Sequence, residues 1–178
     1  MDIFITSNLA EKMANFHMPR YNEFPNISLY LDQVITYLDD LLVPLLSEND
    51  EPLITASMVN NYVKQGVLPR PLKKKYNSEH LAYLTFILFC KQVMSISEIQ
   101  QLISVQKSTY PIEIAYNYFC TELENILKSI FTGTDLPEDT AILETQETQV
   151  IRVSVAIIAR KIYLNKYLEF IDNFDNKN

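Results

Sequence analysis

Five cations and no anion stand between Pro52 and Ser78: Lys64, Arg70, Lys73, Lys74 and Lys75. Interleaved with them are Thr55, Ser57, Asn60 and Asn61, and two tyrosines, Tyr62 and Tyr76. Ammonium and guanidinium groups bind phosphate, and Asn and Lys side chains suit base edges and backbone oxygens. A single carboxylate in the window would repel phosphate, so the missing acid carries as much information as the base. The whole chain carries -7; the window supplies +5, which leaves -12 on the remainder, 10 basic against 22 acidic residues. A basic segment on an acidic body is the charge pattern of a polyanion binder. A merely solvated Lys-rich turn is the plainer alternative for a KKK run.

Other chemistries find little support. There is no nucleophile–base pair, no phosphate-cradling Gly loop and no metal-ligand spacing, so no enzyme, metal or cofactor is expected. His17 and His80 read as surface or packing histidines, and the carboxylates at 39–40 and 144–148 as solvated helix faces. Cys90 and Cys120 stand 30 residues apart in apolar patterns with no CxxC pair. Two buried free thiols suit a reducing cytoplasm. The start of the chain lacks the pattern of a secretory leader. The most apolar run, "VIRVSVAIIA", is too short to span a membrane and contains Arg152. A cytoplasmic protein without membrane contact is the expectation.

The elements that must position the basic window are helical. Gly is scarce, with two residues in 178, and long runs have helical spacing. Residues 1–27, punctuated by Pro19 and Pro25, read as an extended arm. A helix over 28–46 follows, with Leu31, Val34, Leu38, Leu41, Leu42 and Leu45 in helical register and Pro44 expected to kink or end it. "SENDEP" reads as a polar linker. Thr55 or Ser57 starts a short helix that stops at Gly66. With Val59 and Tyr62 or Val63 facing inward, Thr55, Ser57, Asn60, Asn61 and Lys64 face out. "VLPRPLKKKY" has two prolines and no helical period, and reads as a small hairpin or wing with Tyr76 on its return strand. Asn77 or Ser78 caps a helix to Val93, and Ser95 or Ser97 caps another.

Pro111 opens a longer helix to Phe131, with a ladder through Ile112, Tyr116, Phe119, Leu123, Ile126 and Ile130. The last helix runs from about 141 to 174. Val150, Val153, Ile157, Arg160, Leu164, Tyr167, Ile171 and Phe174 follow alternating steps of three and four, the period of a coiled-coil seam. Ile151, Val155, Ile158 and Ile162 form a second stripe. A helix apolar on two sides needs two partners, one inside the chain and one that a second protomer can supply. The expected organisation is an arm (1–27), a front unit (28–108) and a helical dimerisation or effector unit (109–178).

A short helix followed by a basic wing is the layout of a winged helix-turn-helix. "MVNNYVKQGVLP" with "KKYNSEHLAYLTFILFCKQVMSISEIQQLI" resembles the DNA-binding unit of the MerR (mercury-resistance-type) regulators. The matching positions are Tyr62, Gly66, Leu68, Pro69, Tyr76, Leu81, Leu84, Ile87, Ser97, Glu98, Ile99 and Leu102. Together with "MPRYNEFPNISLYLDQVITYLDDLL", most of the chain is similar to a family of small bacterial proteins predicted to be MerR-like. The resemblance implies a mainly α fold: a winged helix-turn-helix with a small β wing, then a two-long-helix dimerisation or effector unit. It implies a homodimeric transcription regulator on double-stranded DNA that answers an unknown effector. Helix 55–65 would enter the major groove and wing 67–76 would touch phosphates. Val150, Val153, Ile157, Leu164, Tyr167 and Ile171 would form the dimer interface. Two departures stand out: Asn60 occupies a position where that family usually has Arg, and "SENDEP" carries Glu48, Asp50 and Glu51 in a longer turn. They favour the alternative, a protein-interaction module that keeps the fold without binding DNA.

Overall fold

The computed structural model describes residues 3–46 and 52–175, the last two by their backbone alone. Seven α-helices and one 3-10 turn are found among these residues, and no strand or sheet. The mainly α expectation therefore holds, and the β wing does not. Glu48, Asp50 and Glu51 lie outside the described residues, as does the side chain of Phe174. Two compact units are present: Pro19–Asn117, and the N-terminal stretch to Met18 together with the chain from Tyr118 onward.

The Pro19–Asn117 unit holds the 3-10 turn Tyr21–Glu23, then α2 (Leu31–Leu46), α3 (Ala56–Lys64), α4 (Ser78–Cys90), α5 (Ile96–Thr109) and the start of α6 (Ile112–Thr132). Val34, Leu38, Leu42 and Leu45 of α2 are buried at helical spacing. Pro44 does not end α2, which continues to Leu46; in the last turn its missing N–H forfeits one bond and disturbs little beyond it. Helix α4 is buried on nearly every side, from His80 through Cys90. It stops at Cys90 rather than Val93, where Lys91–Val93 turn back with N–H groups bonded to Ile87 and Phe89 carbonyls and to Cys90. Ser95 caps α5 in a capping box with Glu98, whose carboxylate accepts from the Ser95 N–H at 2.7 Å.

The N-terminal stretch is not an extended arm throughout. Ser7 caps α1 (Asn8–Ala14), accepting a bond from the Ala10 N–H at 3.1 Å. In the same unit the ring of Phe4 meets those of Phe131, Tyr163, Tyr167 and Phe170, at centroid distances of 5.2–5.9 Å. Tertiary packing of this kind stabilises a helix too short to persist alone. The other elements here are the rest of α6 and α7 (Gln146–Asp175). Phe119, Leu123, Ile126, Leu127 and Phe131 of α6 are buried, as are Val155, Ile158, Ala159 and Ile162 of α7. The inner stripe of α7 is thus core.

A polar clasp holds the connection between α6 and α7. Glu122, 1% exposed, accepts from the N–H and hydroxyl of Thr140 and faces the Arg152 Nε at 3.1 Å. Arg152 also donates to the Pro137 carbonyl at 2.7 Å. The Tyr118 hydroxyl donates to Asp139 at 2.9 Å, and burial with that bond pushes the phenol pKa up.

Candidate nucleic-acid interface

The basic window sits on α3 and the segment after it, and each has a visible local cause. Thr55 caps α3 by accepting from the Met58 N–H at 3.3 Å. The helix ends where Gly66 adopts φ +74, a left-handed stop that favours glycine. The N–H groups of Val67 and Leu68 then both bond to the Tyr62 carbonyl, at 3.0 and 3.1 Å, and reverse the chain. Val59, Val67 and Leu68 are buried, which anchors both sides of the reversal. On α3, Thr55, Ser57, Asn60, Asn61 and Lys64 are all exposed. Tyr62 is buried, and burial raises its pKa.

The approach to α3 is tied down by two charged residues, Asp39 and Lys91. Leu53 donates its N–H to the Asp39 carboxylate at 2.9 Å and accepts from the Lys91 Nζ at 2.5 Å. Asp39 is therefore a half-buried anchor, not a solvated residue of the helix face. Burial depresses the pKa of Lys91.

The segment 67–76 makes a tight turn in place of a wing. Lys75 donates its N–H to the Leu72 carbonyl at 2.9 Å, and Lys73 and Lys74 between them have φ of 50° and 63°. Two consecutive left-handed residues are what a type I′ turn requires, and Asn-Gly is the usual solution. Here two lysines hold those positions. Beyond the Leu72–Lys75 bridge no further pairing across the turn is found among the described residues. On the return side, Tyr76 exchanges both of its backbone bonds with Leu29, each at 2.8 Å. Single bridges at Leu72–Lys75 and Leu29–Tyr76 are all the β pairing found among the described residues.

Arg70, Leu72, Lys73, Lys74 and Lys75 are exposed. Tyr76 is 3% exposed, so it and Tyr62 support the surface from behind and do not offer contacts. The Lys75 ammonium lies over the Tyr30 ring, 5.2 Å from its centroid. Beneath the turn, the ring of His80 meets Tyr76 edge-on at 5.3 Å, and its Nδ1 accepts from the Asn77 N–H at 3.2 Å. Burial lowers the His80 pKa, opposed by the nearby backbone of Arg70 and Pro69 and by Glu79. His80 is a buried brace of the turn.

Residues 19–119 match the family model described as "Domain of unknown function (DUF1836)". The chain belongs to this family. The matched stretch nearly coincides with the Pro19–Asn117 unit, so α3, the lysine turn and their supports all lie inside it. No curated protein and no solved structure matches the chain.

The remaining expected contacts lie on α7. Val150, Val153, Ile157, Leu164 and Tyr167 are 38–60% exposed, and Ile171 is half-buried. They share one register, interrupted by exposed Arg160. Among the described residues, Tyr167 of this outer stripe makes ring contacts with Phe4 and Tyr163. Cys90 and Cys120 are buried and not joined in a disulfide, and burial pushes the Cys90 thiol pKa up. Among the described residues no three His, Cys, Asp or Glu side chains converge as metal ligands, and no helix is long and apolar enough to cross a membrane.

Proposed function

We propose that this chain is a DNA-binding regulator that acts as a homodimer. In this reading α3 lies in the major groove and presents Thr55, Ser57, Asn60, Asn61 and Lys64, while Arg70, Lys73, Lys74 and Lys75 meet phosphates. One observation carries the reading: the two lysines held left-handed at the turn. A non-glycine residue in that region costs about 1–2 kcal/mol, and Asn-Gly would avoid the cost. Keeping two ammonium groups there makes sense where their charge has a polyanion to meet, and no acid between Pro52 and Ser78 opposes it. The resemblance of Tyr62, Gly66, Pro69 and Tyr76 to MerR-type regulators points the same way.

A dimer follows from contact number, since one short helix rarely holds a specific site. The outer stripe of α7 supports this role: a heptad register left exposed is suited to the same register on a second copy. The test is to mix the protein with sheared genomic DNA at near-physiological salt and sequence what it retains, beside the Lys73→Glu/Lys74→Glu/Lys75→Glu variant. Enrichment of a few palindromic sites, lost in the variant, is the expected result. Retention of nothing by the unaltered protein would overturn the reading and leave a protein-interaction module, to be pursued through a co-purified partner.

A further inference from the structure

An open groove of about 360 Å³ runs along α2. Pro25, Leu29 and Tyr37 give it an apolar lining, and Asp32, Thr36 and Asp40 form its α2 side. Steps of four place these three on one face of the helix, with the two aspartates about 12 Å apart along its axis. Both aspartates are exposed, and neither side chain has an ion-pair or hydrogen-bond partner among the described residues. Burial raises the Tyr37 pKa, and the nearby charge of Glu23 raises it further. The groove is thus apolar within and anionic around, which suits cations beside an aliphatic side chain. The lysine turn has that composition: exposed Leu72 precedes exposed Lys73, Lys74 and Lys75.

Groove and turn share a support. Leu29 lines the groove and also exchanges backbone bonds with Tyr76 at the base of the turn. Neighbouring patches of opposite charge on one compact unit are self-complementary, because a copy related by a two-fold axis can meet both at once. We propose that, away from DNA, the lysine turn of each copy docks in the α2 groove of a second copy, with Lys73 and Lys74 against Asp32 and Asp40. A single exposed ion pair is worth little. Here the exchange is reciprocal, so every pair is made twice, around two apolar contacts. The surface is separate from the α7 stripe. A basic segment of another protein would suit the groove as well; a second copy is favoured because each chain brings one turn and one groove, joined at Leu29. The docking uses cations assigned above to phosphate, so docked copies cannot hold DNA through the turn. That consequence rests on the DNA-binding reading; the docking itself does not.

The test mixes full-length protein of natural isotope content with 15N-labelled protein, joins touching amines and carboxylates with a carbodiimide, and maps the links by mass spectrometry. Links from Lys73 or Lys74 to Asp32 or Asp40 should include light–heavy pairs, and these should fall at least about fivefold between about 50 and 300 mM salt as screening tightens. In sedimentation at low salt, Asp32→Asn/Asp40→Asn should self-associate less than the unaltered protein, while the α7 contact is common to both. Both residues are exposed, so the substitutions should leave the fold intact. No links between these residues, links only within one isotope, or equal sedimentation of the two proteins would overturn the docking. Binding of an oligolysine peptide that the aspartate variant loses, with no light–heavy links, would overturn it too and give the groove to a basic partner. Duplex DNA should remove the links. Links that persist on protein shown to bind the duplex would overturn the competition alone, and links formed by protein that binds no duplex would leave the docking standing and remove the DNA-binding reading.

Discussion

Replacing the turn lysines by the residues that a type I′ turn prefers separates their conformational cost from their charge. In Lys73→Asn/Lys74→Gly the left-handed φ values of 50° and 63° are met by residues that adopt them readily. Relief of strain is worth about 1–2 kcal/mol per position at most, and the freer unfolded chain around the new glycine returns about 0.5–1 kcal/mol of it. A net gain of about 1 kcal/mol is expected, a rise in Tm of about 2–4 °C for a chain of this length. Repulsion between neighbouring ammonium groups is also relieved. DNA binding should weaken, because four cations leave each dimer, and the slope of log K against log salt should flatten by up to about 3.6. Differential scanning calorimetry and a salt series of binding isotherms read the two effects. A variant that is less stable than the parent would refute the strain argument. One that keeps the parent's affinity and salt slope would refute the phosphate role of the tip.

Three further outcomes follow from other parts of the molecule. Ile157→Asp with Leu164→Asp should halve the mass seen by light scattering while leaving helical circular dichroism intact, because both side chains are about half exposed in the single chain. Arg152→Ala should destabilise the protein by about 2–4 kcal/mol in urea titrations, since Glu122 stays buried without its cation; partial exposure of Arg152 keeps the figure below the top of the buried-pair range. His80 has a folded pKa below the ordinary 6.5, so the unfolded chain binds the proton more tightly. Its contribution is complete above about pH 6.5 and is lost as pH falls below that value. Tm should therefore drop between pH 7.5 and 5.5, and less so in His80→Gln.

Local signals were legible in the sequence, and long-range ones were not. Thr55 and Ser95 cap their helices and Gly66 ends α3 as their residue types imply. The division of α3 into buried Val59 and Tyr62 and exposed polar positions follows from helical period alone, as does the buried stripe of α7. The failed wing shows the limit. Two prolines and a lysine run suggested a hairpin, but Tyr76 finds its partner at Leu29, 47 residues away, and no local pattern announces that pairing. Asp39 and Lys91 reach Leu53 across 14 and 38 residues. Helix α1 was hidden because seven residues carry little periodicity. The left-handed lysines were unreadable for a different reason: lysine gives no hint of positive φ, and the tightness of the turn imposes it.

The most direct test of a polyanion-binding surface is the salt dependence of binding to duplex DNA. Affinity of the unaltered protein and of Lys73→Glu/Lys74→Glu/Lys75→Glu would be measured by fluorescence anisotropy on a labelled duplex from about 50 to 200 mM salt. With five cations engaged in each protomer, the log–log slope should approach about -9 for a dimer and be much shallower in the variant. A slope near zero, or the same slope from both proteins, would contradict the account.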